Sequence, residues 1–222
     1  MLINKLAKTV AYKDKVYEEI KSAIIADKLT SEGPLNERLL AETLGISRTP
    51  VREALQMLEH EGWVKTEPWK GTYVLDITEQ DIEEVFQLRM TLEPLVIELI
   101  IQTLKDEHCR NLDEFFRIQT KFSEEMNADD FIKTDRDFHM YLAELTGNRR
   151  LIQILSNLSD MMRRLGIKAI KSKIRYEETL QEHAKLIKEL KRRDLSKARQ
   201  ATIYHILRTK ENVYLHFKNN NK

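Results

Sequence analysis

Asn36-Glu37-Arg38-Leu39-Leu40-Ala41-Glu42-Thr43-Leu44-Gly45-Ile46-Ser47-Arg48-Thr49-Pro50-Val51-Arg52-Glu53-Ala54-Leu55 reads as a short helix, a tight turn and the start of another helix. Asn36 is a good cap, because its side-chain oxygen can take an amide proton from the first turn. Leu39, Leu40 and Leu44 follow as the apolar residues of that helix, and Gly45 ends it as a residue with easy access to positive φ should. Ile46 and Ser47 form the turn. The next helix opens near Thr49-Pro50, where proline in the first turn loses no needed hydrogen bond. It buries Val51, Ala54, Leu55 and Leu58 before Gly62 stops it.

Upstream, Val16, Ile20, Ala23 and Ile24 recur at helical spacing and predict a helix from about Tyr12 to Ala26, broken by Thr30 to Pro34. Downstream, Trp63 to Glu67 and Thr72 to Leu75 are strand-like runs around the turn Pro68-Trp69-Lys70-Gly71, which predicts a hairpin, or wing. From Thr78 onward only long helical periods remain, opened by the helix start Thr78-Glu79-Gln80-Asp81. Helices are expected over about 79 to 104, 107 to 127, 130 to 146, 148 to 171, 173 to 192 and 195 to 217, with a frayed tail from Lys218 to Lys222. The fold class is therefore mainly α: an N-terminal winged helix-turn-helix over 1–76, then an all-α antiparallel helical bundle over 77–222.

Composition agrees with this division. Charged residues are 33% and apolar residues 41% of the 222, and 6 Gly with 4 Pro leave little room for an all-β architecture. No apolar run approaches the roughly 20 residues needed to cross a bilayer, and Met1 to Val10 lacks the apolar stretch of a signal peptide, so a cytoplasmic address with no membrane partner is expected. The single Cys109 makes neither an internal disulfide nor a Cys-based zinc site. Net charge is +1, and Met1 to Leu75 holds eleven Lys or Arg against eleven acids. A nucleic-acid reader here must concentrate its cations on one face, because phosphate neutralisation supplies most non-specific affinity.

Helix, helix, turn, helix and hairpin is the order that places one helix in a major groove while a wing touches the neighbouring backbone. With Val51, Ala54, Leu55 and Leu58 turned inward, Arg48, Thr49 and Arg52 stand free at the helix N-terminus, where unpaired amides already favour phosphate. Guanidinium groups can fork onto guanine edges or phosphates, and the hydroxyls of Ser47 and Thr49 reach phosphate oxygens. The competing reading is that the arginines pair with Glu37 or Glu53 on a solvated surface. The stretch from Asn36 to Leu55, continued by Leu58-Glu59-His60-Glu61-Gly62-Trp63-Val64, closely resembles the DNA-binding signature of GntR-family repressors. The resemblance implies that Arg38, Arg48, Thr49 and Arg52 contact a double-stranded operator, and that Gly71 lets the wing backbone approach the minor groove. Lys70 stands where the family more often has Arg in the wing, and Ser31-Glu32-Gly33-Pro34 replaces its usual Pro-Gly turn.

In the C-terminal part, four ionisable residues sit where helices should be apolar. Asp135 and His139 fall one turn apart on the stripe of Phe131, Phe138, Leu142 and Leu145. His183 lies with Leu180, Ala184, Ile187 and Leu190, and His205 with Ala198, Ala201 and Thr202. An isolated inward histidine is more often a hydrogen-bonded core residue than a ligand. One carboxylate and three imidazoles on three helices of one bundle instead suit a borderline divalent ion such as Zn, Ni or Mn. His60, His108 and His216 have no such setting.

These segments resemble the FCD domain, the effector-binding module of the FadR-type branch of GntR regulators. Asp135 to Leu142, Thr146-Gly147-Asn148, Glu182 to Ile187 and His205-Ile206 carry the likeness. It implies metal ligation by Asp135, His139, His183 and His205, and a small-molecule carboxylate bound beside the metal, with Arg89 and Asn148 as effector-binding residues. Arg89 is equally placed for a buried pair with Glu93. The combined reading is a homodimeric regulator, a repressor, whose effector shifts the relative placement of two reading heads and so alters operator affinity. A metal-dependent hydrolase is disfavoured: there is no His-Glu-x-x-His, and Glu182, the one candidate base, is directed to another face by its neighbour His183. A purely structural metal is the other alternative.

Overall fold

Hydrogen bonds at Asn36 and Gly45 bound the second helix of the head. Asn36 Oδ1 accepts from the backbone N–H of Arg38 and Leu39, at 3.0 and 3.1 Å, and Gly45 at φ 66° closes α2 (Glu37–Leu44). These are observations on a computed structural model that describes residues Tyr12–Asn220. The expectations for Met1 to Val10 and for the last two residues of the tail lie outside the described residues. Lys218 and the two residues after it continue the final helix, against the expected fraying.

The chain divides into two compact units, Met1–Ile77 and Thr78–Lys222. In the first, α1 (Tyr12–Ile25) and α3 (Arg48–His60) pack together through Val16, Ile20, Ile24, Val51, Ala54, Leu55 and Leu58, all buried. In α2 only Ala41 is buried; Leu39 is 60% exposed, which corrects its expected place on an apolar face. An eight-residue helix lying on one neighbour has too narrow a contact stripe to cover three leucines. Lys21 is buried with its Nζ on Tyr17 Oη at 2.8 Å and Glu61 Oε2 at 3.1 Å, so it is withdrawn from the cations available to nucleic acid.

The wing is a three-stranded antiparallel sheet in the order β1-β3-β2, formed by β1 (Pro34–Leu35), β2 (Val64–Glu67) and β3 (Gly71–Val74). The sequence shows β1 only as a helix break, because two residues carry no periodicity and Pro34 brings no amide donor. Its pairing, Pro34 with Tyr73 and Leu35 with Thr72, brings Pro34 against Gly71. A Cβ built on Gly71 would stand 3.0 Å from Pro34 Cβ, and its φ of 126° is one that other residues rarely adopt. Glycine is thus demanded there by the fold itself. Trp69, in the hairpin turn, also has positive φ, at 67°; a left-handed conformation costs a β-carbon-bearing residue about 1 to 2 kcal/mol.

The second unit contains α4 (Glu79–Ile100), α5 (Asp106–Glu124), α6 (Ala128–Glu144), α7 (Arg149–Ala169), α8 (Lys173–Lys191) and α9 (Leu195–Asn220). They pack in the cyclic order α4, α9, α8, α5, α6, α7 and back to α4, with further contacts across the ring between α4 and α6 and between α7 and α9. The core runs through this ring and includes Val96, Ile100, Leu112, Phe138, Leu142, Leu186, Leu190 and Ala201. Thr78 and Asp81 form a capping box at α4, as their spacing predicts, and Asn127, Asn148 and Ser172 cap α6, α7 and α8. Among the described residues, no helix is long and apolar enough to cross a membrane.

Both tryptophans, Trp63 and Trp69, lie in the first unit, so indole fluorescence reports on that unit alone. Gly71→Ala is expected to lower its stability by about 2 kcal/mol in urea titrations followed by that fluorescence, from the strained φ and the contact with Pro34. An unchanged midpoint would show that the wing accommodates the methyl group.

Candidate functional site

The N-terminal end of α3 in the first unit is built around one carboxylate. Glu37, in the first turn of α2, accepts from Arg48 Nη2 at 3.2 Å and from Arg52 Nε and Nη2 at 3.3 and 3.1 Å. The Arg52 hydrogen bond is the main cause that holds the Glu37 carboxyl below its ordinary pKa, against a smaller opposing effect of burial. The anticipated pairing with Glu37 is therefore present, yet the two arginine side chains stay 59% and 58% exposed. Exposed pairs of this kind contribute little to stability, so Glu37 aligns two guanidinium forks without tying them up. Ser47 occupies the N-cap position of α3 and makes no side-chain capping bond, and Thr49 is exposed beside it. Arg38 is exposed with Glu42 at 3.8 Å, and Lys70 sits on Glu67 at 2.9 Å in the wing. Glu59 of α3 clamps the wing to the helix by accepting from the Thr66 N–H at 2.6 Å and its hydroxyl at 3.0 Å.

In the second unit, Asp135, His139, His183 and His205 converge. One ligand atom from each lies within 4.8 Å of the others. α6 supplies the first two, α8 the third and α9 the fourth. Each imidazole is held from behind: His139 Nδ1 is 3.0 Å from Glu93 Oε2, His183 Nδ1 is 2.7 Å from Gln119 Oε1, and His205 Nδ1 is 2.8 Å from Glu182 Oε2. All three partners are acceptors, so in the neutral ring each Nδ1 carries the proton and each Nε2 keeps its lone pair. The Nε2 atoms of His139 and His205 face one another at 3.2 Å. Nε2 of His183 is buried without a hydrogen-bond partner, 3.4 Å from Asp135 Oδ1. Lone pairs aimed at one point repel unless a cation lies among them, and neutral imidazole with carboxylate is the donor set of a divalent ion. The residues fit a metal.

For His183, His205 and Asp135 the electrostatics favour the same protonation states. Burial, aided by His205, holds the His183 pKa well below its ordinary value, and burial lowers that of His205 despite Glu182. Burial alone would raise Asp135, but the surrounding histidines outweigh it and its pKa is lowered. Glu93 is likewise raised by burial, but Arg89 and His139 outweigh this and hold it well below the carboxylate range. For Glu182, hydrogen bonds from His205 and Arg175 outweigh burial in the same direction.

Beside the cluster lies a cavity of about 50 Å³ walled by Arg89, Asp135, Arg136, His139, Arg163, Arg175 and His205, among others. That exceeds the roughly 15 Å³ one water needs. Arg89 satisfies both alternatives left open by the sequence: it donates to Glu93 at 2.5 Å and lines the cavity. Asn148 does not line it. Its Oδ1 accepts from the Leu151 N–H, making it the exposed N-cap of α7, a role that accounts for an Asn after Thr146-Gly147 without any ligand.

Glu182 requires a correction. It is buried beside His205 and Arg175 rather than turned to another face. The inward stripe of α8 is Thr179, Glu182, His183, Leu186, Ile187 and Leu190, whereas Ala184 is exposed. Choosing Ala184 over an acid as the core residue placed the stripe slightly off. Gln119, Arg163 and Arg175 were also missed. Gln119 alone had a legible signal, standing seven residues after Leu112 and four after Phe115 on the apolar face of α5.

Comparison with known proteins follows the same division. Residues 12–74 match the family described as bacterial regulatory proteins, gntR family, and residues 84–208 match the FCD domain. The chain is similar to the uncharacterized HTH-type transcriptional regulator YdhC of Bacillus subtilis, 28% identical over 90% of each chain. It is also similar to the gluconate operon transcriptional repressor of Bacillus licheniformis, 26% identical over 79% of this chain and 74% of that one. Among solved structures, Escherichia coli McbR/YncC has the same fold at a TM-score of 0.83 and 20% identity, covering 94% of this chain and 100% of that one.

Arg175 and Glu182 form a buried bidentate pair at 2.6 and 3.1 Å, with side chains 8% and 4% exposed. Arg175→Met removes one charge and strands the other, and is expected to destabilise the second unit by about 3 kcal/mol, read by thermal melting in circular dichroism. A melt within a degree of the wild type would mean that the Glu182 charge is carried by His205 alone.

Proposed function

From the premise that this chain belongs to the gntR family of bacterial regulatory proteins and carries an FCD domain, we propose that it is a homodimeric, operator-binding repressor whose DNA affinity is set by a small organic acid held beside a divalent metal ion. The family is one of DNA-binding transcriptional regulators, not enzymes. The observation that carries the finer reading is the convergence of four acceptor atoms next to an arginine-walled cavity.

On the DNA side, Arg48 and Arg52 fork onto guanine edges or phosphates, Arg38 adds a third cation, and Ser47 and Thr49 donate hydroxyls to the backbone. Lys70 and the backbone at Gly71 meet the duplex through the wing. A two-fold operator takes one recognition helix per half-site, which requires a pair of these heads.

On the sensing side, Asp135, His139, His183 and His205 would hold the ion, with Zn, Ni or Mn suited to the donor set. A bound ion would offer a Lewis-acidic cation to one carboxylate of the effector. Around it, Glu93, Gln119 and Glu182 fix the rings so that no reorganisation is needed when ligand arrives. Arg163 is the cavity arginine with a buried, unpartnered Nε, whereas Arg89, Arg136 and Arg175 already face acids. It is the group that gains most from an anion. Because the Bacillus licheniformis relative is a gluconate operon repressor, gluconate and related sugar acids are the first effectors to assay. Glu182, committed to Arg175 and His205, is no free general base.

Protein purified without chelator is expected to carry one ion per chain, lost from an Asp135→Asn, His205→Ala double variant. Chelator should lower both the melting temperature and effector affinity; loss of stability alone would favour a structural ion, which the near-complete burial of His183 and His205 also suits. Arg163→Met should weaken effector binding while keeping the ion. Arg52→Ala should weaken operator binding by roughly ten- to a hundredfold with the fold intact. Operator titrations that do not change with any acid the protein binds would remove the allosteric claim.

A further inference from the structure

Arg89, Arg136, Arg163 and Arg175 all wall the cavity beside the cluster, and three of them are already balanced. Arg89 pairs with Glu93 at 2.5 Å, Arg136 with Asp160 at 3.0 Å and Arg175 with Glu182 at 2.6 Å. Arg163 is the exception. Its Nε is buried without a hydrogen-bond partner, and no acid among the described residues pairs with it. A guanidinium does not shed its proton at any ordinary pH, so the chain itself leaves this cation uncompensated. Packing of α7 on α6 decides where the charge stands. Arg136 of α6 reaches Asp160 and Ser156 of α7, and a Cβ built on Gly166 would lie 3.2 Å from Ile132. The two helices therefore run antiparallel, and Arg163, midway between Asp160 and Gly166, falls opposite the turn of α6 that carries Asp135. Both residues line the same cavity, so a short molecule reaches both.

We propose that the effector is a short dicarboxylate: one carboxylate meets the cluster of Asp135, His139, His183 and His205, and the other lies on the Arg163 guanidinium, which can take it through two parallel N–H donors. The proposal rests on the acid-and-metal reading of this cavity and adds the second acid group. With the rings neutral, a divalent ion held by three imidazoles and Asp135 would leave one positive charge, and Arg163 supplies another. A monocarboxylate answers one of them and leaves the other buried and unpaired, the arrangement that costs most. A phosphorylated monoacid is a poorer fit, because a phosphate carries close to two charges and would exceed the balance.

The test uses the full-length protein, with its ion content measured, and calorimetric titration with acids that differ at one end only: succinate against succinamate, malonate against malonamate, and glucarate against gluconate. At least one diacid should bind roughly tenfold more tightly than its partner. Arg163→Met should erase that preference while leaving the ion content and the affinity for the weaker partner unchanged, and Arg163→Lys should recover part of it. Arg163→Met should also melt at or above the wild-type temperature, since it removes an unpaired buried charge; a purely structural arginine would give a lower melt. A monoacid that binds the wild type as tightly as its diacid, or a preference that survives Arg163→Met, overturns the dicarboxylate and leaves the acid-sensing reading in place. Phosphogluconate binding more tightly than glucarate assigns the seat to phosphate and overturns it as well. If none of these acids binds, the acid-sensing reading fails and the dicarboxylate with it.

Discussion

The interior of the second unit depends on three polar tethers behind three imidazoles: hydrogen-bond contacts at Gln119 and Glu182 and a 3.0 Å ion contact at Glu93. Glu93, Gln119 and Glu182 each face an Nδ1, and by doing so they turn each Nε2 toward Asp135 and toward one another. Without the tethers the rings could rotate and satisfy themselves within the core, as buried histidines ordinarily do. With them, the bundle interior contains lone pairs that the protein alone leaves facing each other. The tethers come from α4, α5 and α8, so the arrangement requires the cyclic packing of the helices and not merely a correct pattern on any one of them.

That dependence explains what sequence could and could not reveal. Asp135 and His139 were legible because they fall one turn apart on a stripe otherwise made of Phe131, Phe138 and Leu142, and His205 because Ala198, Ala201 and Thr202 surround it. Their mutual approach was legible only through family resemblance, since nothing in single-helix periodicity says that α6, α8 and α9 meet. Glu182 was misread because acids are seldom buried, so an exposed alanine was preferred for the stripe. Arg163 and Arg175 carry no local signature at all. An arginine on a charged helix reads as solvated surface until the packing of neighbouring helices turns it inward.

The head was more legible because its chemistry is local. The Asn36 cap, the Gly45 stop and the apolar face of α3 are all set within a few residues of one another. Where contacts are long-range the reading fell short. β1 is visible only through its pairing with β3, and the burial of Lys21 only through Tyr17 and Glu61. Gly71 changes meaning for the same reason. Its resemblance-based role is close approach to DNA, but the approach recorded in the fold is that of Pro34. The two roles are compatible, and the internal one already requires glycine.

Polar groups support the two units at very different depths. Glu37 holds Arg48 and Arg52 at an exposed surface, where exchanging a carboxylate for a phosphate costs little. Glu93 and Glu182 are buried, so disturbing their pairs with Arg89 and Arg175 is costly. The cavity wall therefore resists side-chain rearrangement. α4 carries both Arg89 and Glu93 and contacts α6, α7 and α9, so this buried pair is fixed by the packing of the bundle and not by one helix alone.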